Sequence, residues 1–319
     1  VAARSLLIIG VAAAAVTAAV TPLAAALARR FALVDRPGPL KVQRAPVPYL
    51  GGAAVTAGVA VGLGAAGRWA LALPPLLALG LGIADDRHDL PARGRLAGQV
   101  LVGVTAGAAV PGGVAARAAT TALVVVLINA WNLVDGLDGL AAGVTVASGA
   151  AAATLGGDAA PVAAATGGAA AGFLVWNRPP ARIYLGDGGA YLLGTVLALT
   201  PALAGRPQPW SVWLVTPMLF GVPVADVGVA VIRRARAGAP LFAGDRSHSY
   251  DQLADRGLPV GRVALLFTGA QALLGVAGAL GARAAPPWAL TVSAAGTATV
   301  FAACLRAGLF SPRGSRPAR

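Results

Sequence analysis

The chain has 319 residues, 57% of them hydrophobic and 12% charged, with a mean hydropathy of +0.74. A soluble domain carries about 25% charged residues, so this composition excludes a water-soluble globule and a disordered chain, and a single cysteine excludes a disulfide scaffold. The formal charge of +13 would suggest nucleic acid in a soluble protein; in a membrane protein it reads as basic loops on the cytoplasmic side, with no nucleic-acid partner.

A membrane-crossing helix needs about 20 apolar residues. The apolar runs predict an all-α, polytopic membrane bundle of about eleven transmembrane helices, forming one domain over 1–319. They lie near 5–28, 51–67, 69–84, 97–111, 118–134, 137–156, 159–176, 188–204, 210–232, 260–281 and 286–308. The first run exceeds the apolar core of a signal peptide, about 7–15 residues, and Arg29-Arg30 follow it as a stop, so it is read as a retained span. The runs are continuous rather than alternating, which argues against a β-barrel. Their abundant Ala and Gly allow close helix–helix approach.

The loops after odd-numbered runs, with the tail, hold twenty of the 25 basic residues. This bias predicts that those loops are cytoplasmic and that the N-terminus lies outside. Every one of the 12 acidic residues is Asp, and all but Asp158 lie in or beside the same loops. No topological rule demands that second bias, and acids gathered on the basic face suggest a site.

In chain order, the first acidic group is Asp85-Asp86-x-x-Asp89, after the third run. On a helix end its three carboxylates share one face and repel one another. A divalent cation or arginines from another loop would relieve the repulsion, and oxygen ligands favour Mg²⁺ or Mn²⁺ over zinc. A solvated helix end, paired with Arg87 or Arg93, would look the same. The second group, between the fifth and sixth runs, is Asn129, Asn132, Asp135 and Asp138, with interspersed glycines. Amides and carboxylates in this density suit a ribose or nucleobase edge, although a polar corner with Asx caps shares the pattern. The third comprises Asn177 and Gly186-Asp187-Gly188-Gly189; Asp187 is either a helix N-cap or a metal ligand beside phosphate-binding backbone N–H groups. The fourth is Asp226, following Pro223 inside the ninth run, where an acid is costly and marks function or a paired structural contact.

Asp35-Arg-Pro-Gly-Pro-Leu-Lys41, Pro46-Val-Pro48, Gly51-Gly52 and the groups above, followed by Asp245-Arg-Ser-His248, occur in an order that resembles the polyprenyl-phosphate N-acetylhexosamine-1-phosphate transferases, nearer their GlcNAc branch than the phospho-MurNAc-pentapeptide translocases. The resemblance covers residues 35–256. It implies transfer of a sugar-1-phosphate from a UDP-sugar to a membrane polyprenyl phosphate, releasing UMP and initiating a lipid-linked glycan at the cytoplasmic face of the plasma membrane, and it leaves room for a homodimer. It further implies that Asp85, Asp86 and Asp187 handle Mg²⁺ (or Mn²⁺) and the reacting phosphates. Lys41, Asn129, Asn132, Asp135 and Asp138 would serve the nucleotide site, and Asn177 and His248 would line the substrate cleft, with Asp226 and Arg246 counted among the substrate-binding residues.

Two departures stand out. The family carries Arg-Lys-x-His in its first cytoplasmic loop, where this chain has Leu40-Lys41-Val42-Gln43. Its last long loop carries a histidine-rich trio, whereas here His248 precedes Ser249, Tyr250 and Asp251. Arg246 and Arg256 lie close enough in sequence to take over a cationic duty there. A degenerate relative that binds lipid or assists assembly, and a transporter, are the alternative readings.

Overall fold

The computed structural model describes residues 2–37, 45–206, 209–238 and 247–310. Among these, thirteen α-helices and one short hairpin form the chain: α1 (Ala3–Arg30), β1 (Val34–Asp35), β2 (Val47–Pro48), α2 (Gly51–Ala66), α3 (Leu73–His88), α4 (Ala92–Ala109), α5 (Val114–Val134), α6 (Leu140–Ala153), α7 (Ala159–Asn177), α8 (Gly186–Leu199), α9 (Pro209–Leu219), α10 (Gly221–Arg236), α11 (Ser249–Asp255), α12 (Val260–Gly281) and α13 (Pro286–Arg306). The two strands pair antiparallel, Val34 opposite Pro48 and Asp35 opposite Val47.

Each of the eleven apolar runs is helical, but they do not all reach span length. Among the described residues, six helices are long and apolar enough to cross a membrane alone, and a seventh span results if α9 and α10 count as one. The helices on the other four runs, α2, α4, α6 and α8, have 16, 18, 14 and 14 residues. The difference from the sequence expectation is physical. Apolar side chains mark what is removed from water, and enclosure by other helices selects the same pattern as lipid does, so the apolar runs do not by themselves set the length of each helix. α8 shows this most clearly, being buried continuously from Gly188 to Leu199.

Small residues make the close contacts. α1 and α7 approach through Gly10, Gly168 and Gly172, where an added Cβ would strike the facing backbone. Larger groups fill the centre: Trp131 of α5 donates to Thr145 Oγ1 at 2.7 Å and meets Phe220 edge-on at 5.9 Å.

The ninth run is broken. α9 and α10 meet at 65°, with Pro217 in the last turns of α9 and Pro223 in the first turn of α10. A break leaves backbone groups without helical partners, which is costly in an apolar bundle. Gln271 of α12, wholly buried, supplies them: its Oε1 accepts from Val222 N at 2.9 Å and its Nε2 donates to Leu219 O at 2.8 Å. One side chain thus closes both ends of the bend.

Candidate active site

The site grows from a glycine contact. Gly82 of α3 abuts the first turn of α8 so closely that a Cβ there would lie 2.5 Å from Asp187 C and O. From the other side, a Cβ on Gly52 would lie 2.5 Å from Gly189 Cα. Gly186 adopts φ +76, and a Cβ there would stand 2.9 Å from Asp86 Oδ2. This crowding presses the end of α3 onto the start of α8. Asp86 Oδ2 accepts a long hydrogen bond from Gly188 N at 3.4 Å. Asp187, in the first turn of α8, makes no side-chain cap; its Oδ1 accepts from the Asn132 amide at 2.6 Å. Asp86, Asp187 and Asn132, distant in sequence, are therefore gathered at one end of the bundle.

Asp85 is different. It is 4% exposed, with Oδ2 accepting from Tyr191 O–H at 2.6 Å and lying 3.5 Å from Arg95 Nη1, and Oδ1 accepting from Leu90 N at 3.1 Å. Both oxygens of the expected third metal ligand are thus committed to protein. Asp89 does not share the helix face either; it is the left-handed C-cap of α3, at φ 48, and is exposed. The repulsion foreseen among these acids is relieved by Arg95 and Tyr191, neither of which sequence reasoning placed in the site. Arg95 carried a detectable signal, since it precedes Gln99 by one helical turn and both point toward acid or amide partners.

The α5–α6 corner divides into groups that brace the fold and groups that stay partly open. Asn129 turns toward α4, donating to Gln99 Oε1 at 2.7 Å and to Val125 O at 2.8 Å, so its amide hydrogens serve packing. Asp135 keeps part of its surface open. Burial raises its carboxyl well above the usual carboxylate range, and Asp187, Asp86 and Asp138 push it the same way. Carboxyl groups have collected where a cation would favour their ionised forms. Asp138 is also raised by burial, opposed by the N–H of Ala181, which donates to its Oδ2 at 2.9 Å.

Asn177, expected to line the cleft, is buried instead. Its Oδ1 accepts from Gly139 N at 2.9 Å and its Nδ2 donates to Ile183 O at 3.0 Å. It ties the α5–α6 corner to the segment that leads into α8. Asp226 and His248 lie together, with Oδ2 and Nδ1 2.7 Å apart, at 3% and 5% exposure. Lys41 and Arg246 lie outside the described residues.

Among the described residues, no three carboxylate, imidazole or thiolate groups converge closely enough to hold a metal ion. The donor chemistry still fits a hard cation in a restricted way. Asp86 and Asp187 offer carboxylate oxygens on adjoining backbone, and Mg²⁺ typically takes one or two carboxylates and completes its shell with phosphate and water.

Residues 68–204 match the family described as glycosyl transferase family 4. Over most of its length the chain is similar to the decaprenyl-phosphate N-acetylglucosaminephosphotransferase of Mycobacterium tuberculosis, at 31% identity covering 83% of this chain and 79% of that protein. It is 36% identical to the phospho-N-acetylmuramoyl-pentapeptide-transferase of Moorella thermoacetica, over 66% of this chain and 72% of the relative. It is also 28% identical to the undecaprenyl-phosphate alpha-N-acetylglucosaminyl 1-phosphate transferase of Thermotoga maritima, over 72% of this chain and 76% of the relative.

Proposed function

The chain belongs to glycosyl transferase family 4, among the polyprenyl-phosphate N-acetylhexosamine-1-phosphate transferases and nearer the GlcNAc type, and from that premise we propose that it transfers N-acetylhexosamine-1-phosphate from a UDP-sugar to a membrane polyprenyl phosphate, releasing UMP. The observation that carries the reading is the joining of Asp86, Asp187 and Asn132 by the glycine contact between α3 and α8. A degenerate relative would have no need to keep these groups assembled. A transporter would place its polar site near mid-bundle, whereas these acids stand where α3 and α5 end and α8 begins.

The reaction needs little proton chemistry. A phosphate monoester has its second pKa near ~6, so the acceptor is largely a dianion at neutral pH. Its oxygen attacks the β-phosphorus of the nucleotide sugar, a new P–O bond forms, and the bond from β-phosphorus to the bridging oxygen breaks. The bridging oxygen leaves with the electron pair as part of UMP, and total charge is conserved. The difficulty is bringing two anions together, which cationic groups and positioning solve. Mg²⁺ or Mn²⁺ held by Asp86 and Asp187 would supply charge neutralisation. Asn132 orients Asp187, Tyr191 and Arg95 hold Asp85 against α8, and Asp135 faces the nucleotide side. Lys41 and Arg246 are the further cations assigned to substrate.

Counted over eleven crossings, the distribution of basic residues supports a cytoplasmic site and an outward N-terminus; the eleven crossings and the plasma membrane are part of the proposal. Purified protein supplied with polyprenyl phosphate, Mg²⁺ and a panel of UDP-sugars should release UMP with one of them. Absence of UMP release across the panel, from folded protein, would overturn the assignment.

A further inference from the structure

The pairing of Asp226 with His248 lies outside the acidic cluster and has its own logic. Asp226 sits on α10 just past the bend, and a carboxylate buried there is costly unless every lone pair has a use. Both oxygens engage one short segment at the start of α11. Oδ2 faces His248 Nδ1 at 2.7 Å, and Oδ1 accepts from Ser249 N at 3.0 Å. The ring is also fixed by its face, since His248 stacks on Tyr250 at 5.5 Å and 8°. Tyr250 in turn donates its O–H to Leu133 O at 2.6 Å, next to Asn132, which binds Asp187. A Cβ on Gly136 would strike the Tyr250 hydroxyl, so the ring stack leaves no slack.

We propose that Asp226 is a positioning residue rather than a substrate ligand: it holds His248 with the proton on Nδ1 and so presents Nε2 to the reacting phosphates. A carboxylate is an acceptor only, so the nitrogen facing it carries the hydrogen. Burial and two committed oxygens leave Asp226 no reach toward a substrate. The arrangement explains how one histidine can stand where the family has a trio: a single imidazole locked at edge and face needs no neighbours to orient it. This inference rests on the phosphotransfer reading for its catalytic meaning, but the pairing itself is testable without turnover.

The chain has 2 histidines, so ¹⁵N-imidazole spectra of detergent-solubilised protein contain two ring systems, and His88→Gln assigns them. His248 should show a protonated Nδ1 in the native protein and lose that fixed state in Asp226→Asn. An unprotonated Nδ1 in the native protein overturns the proposal without recourse to any Asp226 variant. In the UMP-release assay, Asp226→Asn should lower kcat by about 10–100-fold with KM for both substrates nearly unchanged, and Asp226→Glu should restore part of the rate. Adding Asp226→Asn to His248→Ala should cost nothing further, because the two act as a unit. Additive losses would make Asp226 an independent contact and refute the positioning role. A native protein that releases no UMP would instead overturn the phosphotransfer reading, leaving the spectra to decide the pairing.

Discussion

Gly82 and Gly80 lie two residues apart on α3 and make opposite demands. An Ala Cβ at position 80 meets nothing within 4 Å, whereas at 82 it would sit 2.5 Å from Asp187 backbone atoms. Replacing a helical glycine with alanine gains up to about 1 kcal/mol of helix propensity. Gly80→Ala should therefore be neutral or slightly stabilising. At 82 that gain opposes an overpacking cost of about 1–3 kcal/mol, incurred against main chain that cannot rotate away. Overpacking outweighs propensity, and the relief open to the fold is to push the first turn of α8 outward, carrying Asp187 with it. A displacement near ~1 Å in a reacting constellation costs on the order of 10²-fold in rate. Thermal unfolding in detergent and UMP release from the two variants should separate: Gly80→Ala unfolds at or above the native temperature with native rate, and Gly82→Ala unfolds lower with about 10²-fold less turnover. Native rate and stability in Gly82→Ala would show that the α3–α8 contact does not set the position of Asp187.

Asp86→Asn and Asp187→Asn should each lose on the order of 10²–10³-fold in rate while remaining folded, and excess chelator should stop turnover; full activity in chelator would exclude a metal-assisted reaction. Gln271→Leu should destabilise by about 1–3 kcal/mol for each backbone group left unsatisfied at the α9–α10 bend, read as a lower unfolding temperature in detergent. For orientation, Ser249 is a poor reporter because it is 4% exposed, and Leu258, 37% exposed, serves instead. In a Cys304→Ser background, Leu258→Cys should react with an impermeant thiol reagent only from the cytoplasmic side; labelling from outside would reverse the topology.

The apolar runs made the existence of the long helices legible, with ends off by up to about five residues and the ninth run read as one helix rather than two, because burial in protein and burial in lipid select the same side chains. For that reason the number of crossings was not legible. The bend at Phe220 had its signs in Pro217, Gly221 and Pro223, but the amide that closes it, Gln271, stands 49 residues beyond Val222 and gives no local pattern. Within the site, residue type identified the acids and amides but not their direction. Asp85 and Asp86 are neighbours that both meet α8, yet one helical step buries the first against the Tyr191 hydroxyl and sets the second at the N–H of Gly188 in the first turn. Asn129 reads as a ligand because an amide both donates and accepts, and Asn177 through the family resemblance; the same donor and acceptor pair lets each clamp protein groups instead. Restoring histidine at 250 and 251, which the comparison with the histidine-rich loop invites, would remove the Tyr250 bond to Leu133 and place a ring where Asp251 is now buried.

The uneven lengths of the helices bear on how two unlike substrates meet. At 1.5 Å per residue α8 rises about 21 Å, against a hydrocarbon thickness of about 30 Å. Seated against the opposite surface, an enclosed helix of that length would begin about 9 Å inside the near one. Asp187 and the groups around it would then form a recess sunk below the headgroup plane. An acceptor whose long tail is dissolved in the membrane can bring its phosphate to that depth without pulling apolar chain into water. In the proposed reaction the water-borne nucleotide sugar would make the opposite journey, and the shedding of its hydration shell would fall at the step where the charged groups of the recess receive it.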